Sequence, residues 1–151
     1  MAQLFPIDEL LAFWVYRMQT QGASLLWRRF RTAGHEITPE QFGVLARLRE
    51  QPGVSQSRLG ERMLKDRHNL TRILNLLEKR GCIERRPDSA DKRIYRLFLT
   101  EAGRRLQEEL APIVTGHLDR LLDGLTDDDC KNMRRILEQI VKNIEKGSHI
   151  E

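Results

Sequence analysis

Residues 55–103 read SQSRLGERMLKDRHNLTRILNLLEKRGCIERRPDSADKRIYRLFLTEAG. The signals in this stretch follow the order short helix, link, second helix, β-hairpin and start of a further helix. Arginines recur through this stretch, on the predicted elements that would contact a nucleic acid. This order of elements, together with the basic residues, predicts a helix-turn-helix that reads DNA.

The second of these helices is predicted from Arg67 to Arg80, with Asp66 as its cap. Its apolar residues recur at i, i+3, i+4 and i+7 and are Leu70, Ile73, Leu74 and Leu77. The opposite face carries donors and cations without a carboxylate, namely His68, Thr71, Arg72, Asn75 and Lys79. The alternative is a solvated face, but such faces usually mix both signs of charge, so this one favours DNA contact.

Two shorter helices are predicted ahead of the helix from Arg67 to Arg80, which would be the recognition helix of the helix-turn-helix. Thr38 caps the first, and Gln41 three residues later completes a capping box. Ser55 caps the second, which reaches Met63 or Leu64 and would be the first helix of the helix-turn-helix.

A basic β-hairpin follows Gly81, with strands predicted at 82–86 and 95–99. Its positive side chains are Arg85, Arg86, Lys92, Arg93 and Arg96. A protruding hairpin of this charge suits the phosphate backbone or a narrow minor groove. The alternative is an edge strand that charge protects against aggregation.

Charge is concentrated in the same region. The whole chain of 151 residues has a net charge of +4, whereas residues 53–100 contain twelve basic and six acidic residues, a local charge of +6. With 40% apolar residues and five prolines, the chain can bury one core, and we expect a single domain over residues 1–151.

Apolar helices flank this basic region. A long helix is predicted from Ile7 to about Ala33, and its apolar residues cover more than one face, which implies contact with a second subunit or a ligand. A helix from Thr100 to about Leu122 and a final helix capped by Thr126 follow the hairpin. The predicted fold is mainly α with a small β-hairpin wing.

The chain resembles the MarR family of winged-helix transcription regulators. The segments that carry the resemblance are Ile37-Thr38-Pro39-Glu40-Gln41-Phe42, Leu76-Leu77-Glu78-Lys79-Arg80-Gly81, Ile83-Glu84-Arg85, Asp91-Lys92-Arg93 and Leu99-Thr100-Glu101-Ala102-Gly103. Their order and spacing match from about Leu10 to Ile144. The resemblance implies a winged helix-turn-helix lobe at 37–100 and dimerisation helices at 7–34 and 101–147.

In such a homodimer two lobes would bind double-stranded DNA at successive half-sites of a near-palindromic operator. Arg93 would enter the minor groove, and Asp91 would steady the wing. His68, Asn69 and Thr71 are the better candidates for base edges, while Arg72 and Lys79 would meet phosphates. The full predicted set of DNA contacts is Ser55, Gln56, Arg67, His68, Asn69, Thr71, Arg72, Asn75, Lys79, Arg85, Arg86, Asp91, Lys92 and Arg93.

The family typically represses transcription and is released by small aromatic or phenolic ligands or by cysteine oxidation. A ligand pocket is predicted from Trp14, Arg17, Met18 and Phe42, although the same residues suit plain helix packing. The peroxide-sensing branch has a cysteine early in its first helix, where this chain has Ala12. Cys82 and Cys130 are expected to be buried, inert thiols.

Catalysis is not expected, because the chain lacks phosphate-binding, dinucleotide-binding, zinc-protease and nucleophile-elbow motifs. No cofactor and no metal site are predicted. The sequence has no run of roughly 20 apolar residues and no signal-peptide pattern in Met1–Glu9, so a cytoplasmic protein without membrane contact is expected. The competing hypothesis is a winged-helix protein-interaction module, but the predicted recognition face offers such a partner no apolar residue.

Overall fold

In a computed structural model, residues 10–147 of the chain are described. This part contains six helices and three strands, in the order α1 Leu11–Thr32, α2 Pro39–Glu50, β1 Val54–Ser55, α3 Gln56–Met63, α4 Arg67–Lys79, β2 Ile83–Pro87, β3 Tyr95–Leu99, α5 Glu101–Leu121 and α6 Asp127–Gly147. The predicted fold class, mainly α with a small β wing, is confirmed. The part of the first helix that was predicted at 7–9 lies outside the described residues.

The helices begin where the capping residues stand. The Thr38 hydroxyl accepts a hydrogen bond from the backbone N–H of Gln41 at 3.1 Å, and the Gln41 side chain accepts one from the backbone N–H of Thr38 at 3.0 Å. This is the capping box that the sequence predicts. Ser55 and Asp66 cap α3 and α4 through their own side-chain oxygens. At the other end of α4, Gly81 adopts a φ of +68°, a conformation that favours glycine after a helix.

The three strands form an antiparallel sheet in the order β1-β3-β2. Ile83 pairs with Leu99 at the open end of the hairpin, and residues 88–94 close its tip. On the other edge of β3, Val54 of β1 lies opposite Leu97. Strand β1 was not predicted from the sequence, because two residues are too few to show an alternating pattern.

Residues 10–117 form one compact unit around an apolar core. Its buried apolar side chains come from α1 to α5, all three strands and their links, and are Leu26, Phe30, Ile37, Val44, Leu45, Leu48, Val54, Leu59, Leu70, Ile73, Leu74, Leu77, Cys82, Ile83, Leu97, Leu99 and Leu110. Burial of one such side chain stabilises the fold by roughly 1.5–3 kcal/mol. The core therefore fixes which face of each helix points inward. The predicted apolar stripe of α4 is entirely buried, and its polar face is therefore held outward.

Residues 118–147 form a second compact unit, made of the end of α5 and of α6. The Thr126 hydroxyl accepts from the backbone N–H of Asp129 at 3.1 Å, and the Asp129 carboxylate accepts from the backbone N–H of Thr126 at 2.9 Å. Within Asp127–Gly147 no residue is buried. Large apolar side chains of this unit stay exposed in the single chain, namely Leu118, Leu121, Leu122, Leu125, Met133, Ile136, Val141 and Ile144. It stays a prediction that residues 1–151 form a single domain with a winged helix-turn-helix lobe at 37–100.

Candidate nucleic-acid interface

The exposed face of α4 is the centre of the candidate interface. At its start the Asp66 carboxylate accepts from the backbone N–H of Asn69 at 2.9 Å. That N–H, followed by the Asn69 side chain, lowers the pKa of Asp66, so the cap stays charged at neutral pH. The cationic or imidazole side chains of this face are all exposed, and they are Arg67, His68, Arg72 and Lys79. In residues 10–147 none of them forms an ion pair.

A side-chain hydrogen bond joins α3 to the recognition face. Gln56 Nε2 donates to Thr71 Oγ1 at 2.7 Å, and Thr71 Oγ1 donates its own proton to the Arg67 carbonyl oxygen at 2.7 Å. A hydroxyl has one proton, so in this arrangement Thr71 has none left to give to a base. The structure thus gives Gln56 and Thr71 a part in holding α3 and α4 together.

The two asparagines of α4 are held by partners of opposite charge. Asn69 Nδ2 donates to Asp66 Oδ2 at 2.6 Å, whereas Asn75 Oδ1 accepts from Arg85 Nη2 at 2.9 Å. Both residues are exposed. Within the described residues, the oxygen of Asn69 and the amide nitrogen of Asn75 are the side-chain atoms that have no hydrogen-bond partner.

Two of the predicted DNA contacts pair with carboxylates of the chain itself. Arg85, with 19% of its side chain exposed, pairs with Glu78 of α4. Arg86 pairs with Glu84, and its guanidinium lies 4.6 Å from the centre of the Phe98 ring. These acidic partners were not predicted from the sequence. A spacing of seven residues that crosses from a helix to a strand leaves no periodic signal to detect.

The wing tip keeps its cations free. Asp91 Oδ1 accepts from the backbone N–H of Arg93 at 2.9 Å, a contact that shapes the turn and does not involve the guanidinium. Lys92 and Arg93 are exposed. Across the described part of the chain, neither side chain has a carboxylate partner.

A cavity of about 870 Å³ brings several of these residues together. It lies between α3, the start of α4 and the wing. Five of its lining residues were predicted as DNA contacts, and they are Ser55, Gln56, Arg67, Thr71 and Arg93. Positive charge from α4 and from the wing thus faces one concave surface, which Glu61 also lines. Cations on facing walls of a concave surface attract a polyanion.

Two residues of the predicted ligand pocket, Trp14 and Arg17, are in contact. The Arg17 guanidinium lies 5.3 Å from the centre of the Trp14 ring, and Met18 is on the same helix and 53% exposed. Phe42 of α2 packs on Phe30, with ring centroids 5.9 Å apart. None of the four predicted residues lines the cavity described above.

The two cysteines differ in their surroundings. Cys82 is buried, and burial raises the pKa of its thiol while the nearby charge of Arg80 partly opposes this. A raised pKa keeps the thiol protonated and unreactive at neutral pH, as the sequence analysis expects. Cys130 was also expected to be buried, but it is half-buried and lines a groove of about 610 Å³ within residues 118–147, together with Met133, Leu137 and Val141.

The part of the chain from residue 10 to 147 contains no group of three His, Cys, Asp or Glu side chains placed to hold a metal ion. Among its helices, none combines the length and the apolar character that a membrane span needs.

Comparison with known proteins gives one consistent result. A sequence model of the MarR family matches residues 35–94, which include the helix-turn-helix and most of the wing. The chain is 32% identical over 111 residues to YybA of Bacillus subtilis (strain 168), an uncharacterized HTH-type transcriptional regulator, and the match covers 74% of each chain.

Solved structures agree with the sequence matches. The transcriptional repressor CouR, bound to a 23-mer DNA duplex, is 27% identical with a TM-score of 0.81, and the match covers 93% of this chain and 99% of CouR. The PcaV regulator of Streptomyces coelicolor, in complex with its natural ligand, is 26% identical with a TM-score of 0.81, covering 94% and 98%. The chain therefore belongs to the MarR family of DNA-binding transcription regulators, and it is a regulator and not an enzyme.

Proposed function

We propose that this chain is a homodimeric repressor that binds a near-palindromic operator and leaves it when a small aromatic or phenolic ligand binds. The observation that carries the proposal is the free positive charge on both sides of the 870 Å³ cavity, at Arg67 on α4 and Arg93 on the wing. Phosphates and a narrow minor groove attract unpaired cations of this kind. Such a protein works in the cytoplasm, where its DNA lies.

Repression is supported by a structural relative that was solved on DNA. CouR bears the name of a repressor and shares this fold along almost its whole length. A protein that covers a promoter-proximal operator blocks transcription by occupancy alone, so tight binding through α4 and the wing suffices for repression.

Dimer formation is supported by the apolar surface that each compact unit leaves uncovered. On α1, Leu11, Trp14 and Tyr16 are each more than half exposed, and on α6 the same holds for Val141 and Ile144. Exposed apolar area of this extent favours association, since burial yields roughly 25 cal/mol per Å². A twofold dimer would place two recognition helices on two half-sites of opposite direction.

A ligand site beside α1 is supported by the pair of Trp14 and Arg17. An aromatic ring next to a guanidinium provides a stacking surface and a partner for a carboxylate or phenolate. PcaV, a structural relative, was solved with its natural ligand. Met18 and Phe42 would supply the apolar walls of the site.

Release would act through the spacing of the two lobes. Recognition helices fit successive major grooves when they are separated by roughly 34 Å, one turn of DNA. A ligand bound beside α1 would change that separation, and two misplaced helices would no longer both stay in the groove. Affinity for the operator would then fall without any change at α4 itself.

The test is binding of the purified dimer to its own upstream intergenic DNA and to a scrambled duplex, across a salt series. We expect a clear preference for its own DNA and a fall in affinity with salt, with a log–log slope of about −0.9 per phosphate contacted. Equal binding to both duplexes, or no binding at low salt, would move the function to nonspecific DNA association or to protein interaction.

The ligand part is tested separately with a panel of benzoates and phenols. Binding is followed by tryptophan fluorescence, and operator affinity is measured with and without each compound that binds. Arg17→Ala should abolish the response to carboxylates and keep DNA binding. Equal operator affinity with and without every ligand that binds would contradict the release mechanism.

A further inference from the structure

We propose that Asn75 contacts the major-groove edge of a guanine in the operator, and that Arg85 sets the orientation of the Asn75 amide that makes this contact. This inference rests on the proposed function, because it concerns how the same face of α4 reads DNA. It assigns Arg85 a positioning role in place of the direct DNA contact that the sequence predicts.

The orientation of the Asn75 amide follows from the chemistry of its neighbour. Arg85 Nη2 lies 2.9 Å from Asn75 Oδ1. A guanidinium can only donate hydrogen bonds, so the atom that faces it must be the oxygen and not the nitrogen of the amide. Asn75 is thereby held with Nδ2 directed away from Arg85.

Arg85 is itself held in place. Its other terminal nitrogen, Nη1, pairs with the Glu78 carboxylate, and 19% of its side chain is exposed. Glu78 lies three residues after Asn75 on α4, while Arg85 comes from β2. The wing root and the recognition helix are therefore joined by a charged contact that fixes one amide on the DNA side.

The exposed group of Asn75 is a donor with two protons. The side chain is exposed, and throughout the described residues Nδ2 has no hydrogen-bond partner. In the major groove guanine presents two neighbouring acceptors, N7 and O6. An amide nitrogen with two protons can donate to both of them.

Adenine does not match this arrangement. Its edge presents one acceptor, N7, and one donor, the N6 amino group, and an asparagine reads it with oxygen and nitrogen side by side. In Asn75 the oxygen is directed at Arg85, so the amide would have to turn out of that hydrogen bond to present oxygen and nitrogen side by side to adenine. The structure thus favours guanine over adenine at this position.

Asn69 provides the matched contrast on the same helix. Its Nδ2 donates to Asp66 Oδ2 at 2.6 Å, so its oxygen is the outward atom and can accept from a base. The two amides of α4 are therefore preset in opposite directions.

The experiment uses the full-length dimer and the operator found in the binding assay above. Each guanine in turn is replaced by 7-deazaguanine, which lacks the N7 acceptor, and affinity is measured for the wild type, Asn75→Ala and Asn69→Ala. At one guanine in each half-site, we expect the replacement to weaken wild-type binding by about tenfold. The same replacement should leave Asn75→Ala unchanged and should weaken Asn69→Ala as much as the wild type.

The positioning role of Arg85 is read from base preference. In the wild type, guanine to adenine at that site should cost about tenfold in affinity. In Arg85→Met the amide is free to turn, so the preference should largely vanish, while Arg85→Lys keeps a donor and should restore it. If Arg85→Met removed only a structural contact, the affinity would fall equally for the operator with guanine and the operator with adenine at that site.

The outcomes separate this inference from the function on which it rests. Absence of any sequence preference overturns the proposed function itself. Specific binding in which no 7-deazaguanine replacement is coupled to Asn75→Ala overturns only the role of Asn75. A guanine preference that survives Arg85→Met overturns the positioning role of Arg85.

Discussion

Arg96 Nε donates to Asp88 Oδ2 at 2.5 Å, and this contact ties strand β3 to the first residue after β2. The other oxygen of Asp88 accepts from the backbone N–H groups of Ala90 at 2.8 Å and Asp91 at 3.0 Å. One carboxylate thus organises the whole wing turn. The resemblance gave the steadying role to Asp91, and the structure shows Asp88 making more of the contacts.

The wing should lose its shape in Asp88→Ala. We expect operator affinity to fall while the dimer persists, because the turn that presents Arg93 loses three hydrogen bonds. Arg96→Met keeps the two backbone contacts and should have a smaller effect. For both variants, a DNA-binding assay measures the operator affinity and sedimentation measures whether the dimer persists. Wild-type affinity in Asp88→Ala would show that the turn forms without the carboxylate.

The same contacts predict a pH dependence. The backbone N–H of Asp91, then the Arg96 side chain and the backbone N–H of Ala90, lower the pKa of Asp88 to about 2. Because the folded pKa lies below the ordinary value of 3.8, the contribution of this group is complete above 3.8 and is lost as pH falls through about 2. The carboxylate therefore stays charged in every buffer used for DNA binding.

Arg93→Ala should weaken operator binding by about tenfold or more, as expected for an arginine that inserts into a groove. Its guanidinium has no carboxylate partner in residues 10–147, so its whole positive charge is available to the DNA. Arg86→Ala is the matched control. That side chain is paired with Glu84 and stacked on Phe98, and we expect about threefold loss or less.

Fluorescence anisotropy with a labelled operator measures both variants, and sedimentation checks that the dimer is intact. If Arg93→Ala binds as tightly as the wild type, the wing tip is not a DNA contact. If Arg86→Ala loses as much as Arg93→Ala, the internal pairing of Arg86 does not persist on DNA.

The helices could be predicted because their signals are local. The Thr38 and Gln41 capping box and the spacing of Leu70, Leu74 and Leu77 lie within a few residues along the chain. Periodicity and capping depend only on neighbours at that range. The recognition face followed directly, since it is the side of α4 that the core does not bury.

The pairing of side chains across elements could not be predicted in the same way. Arg85 was assigned to DNA from its charge and its place in the hairpin, yet the fold brings it to Glu78 and Asn75. Which acidic side chain pairs with which basic side chain depends on how a strand packs against a helix. The sequence gives no distance between them.

The close approach of α5 to the start of β2 explains why the segment Thr100-Glu101-Ala102-Gly103 ends in glycine. A Cβ at this position would lie 1.9 Å from the carbonyl oxygen of Cys82, where β2 begins and α5 crosses it. Gly103→Ala should therefore destabilise the fold by about 3 kcal/mol or more, because backbone must move to admit the methyl group. Thermal and urea unfolding measure the change.

Gly116→Ala is the control within the same helix. A Cβ there meets nothing within 4 Å, so the change should be neutral or should stabilise by up to about 1 kcal/mol through helix propensity. Equal stabilities for the two alanine variants would mean that α5 does not approach β2 as closely as the structure shows.

His117 should make the fold sensitive to mild acid. It is 3% exposed, and within residues 10–147 its Nδ1 has no hydrogen-bond partner. Burial, and then the charge of Arg29, lower the pKa of the imidazole from its ordinary value of 6.5. Because the folded chain binds this proton less readily than the unfolded chain, stability is complete above 6.5 and falls as pH drops below it.

His117→Gln removes the titrating group and keeps a polar side chain of similar size. The free energy of unfolding of the wild type should decrease from about pH 7 to about pH 5, and the decrease should be smaller in His117→Gln. Urea unfolding at each pH gives these slopes directly. Parallel slopes for the wild type and His117→Gln would show that the folded and unfolded chains bind the proton of His117 equally well.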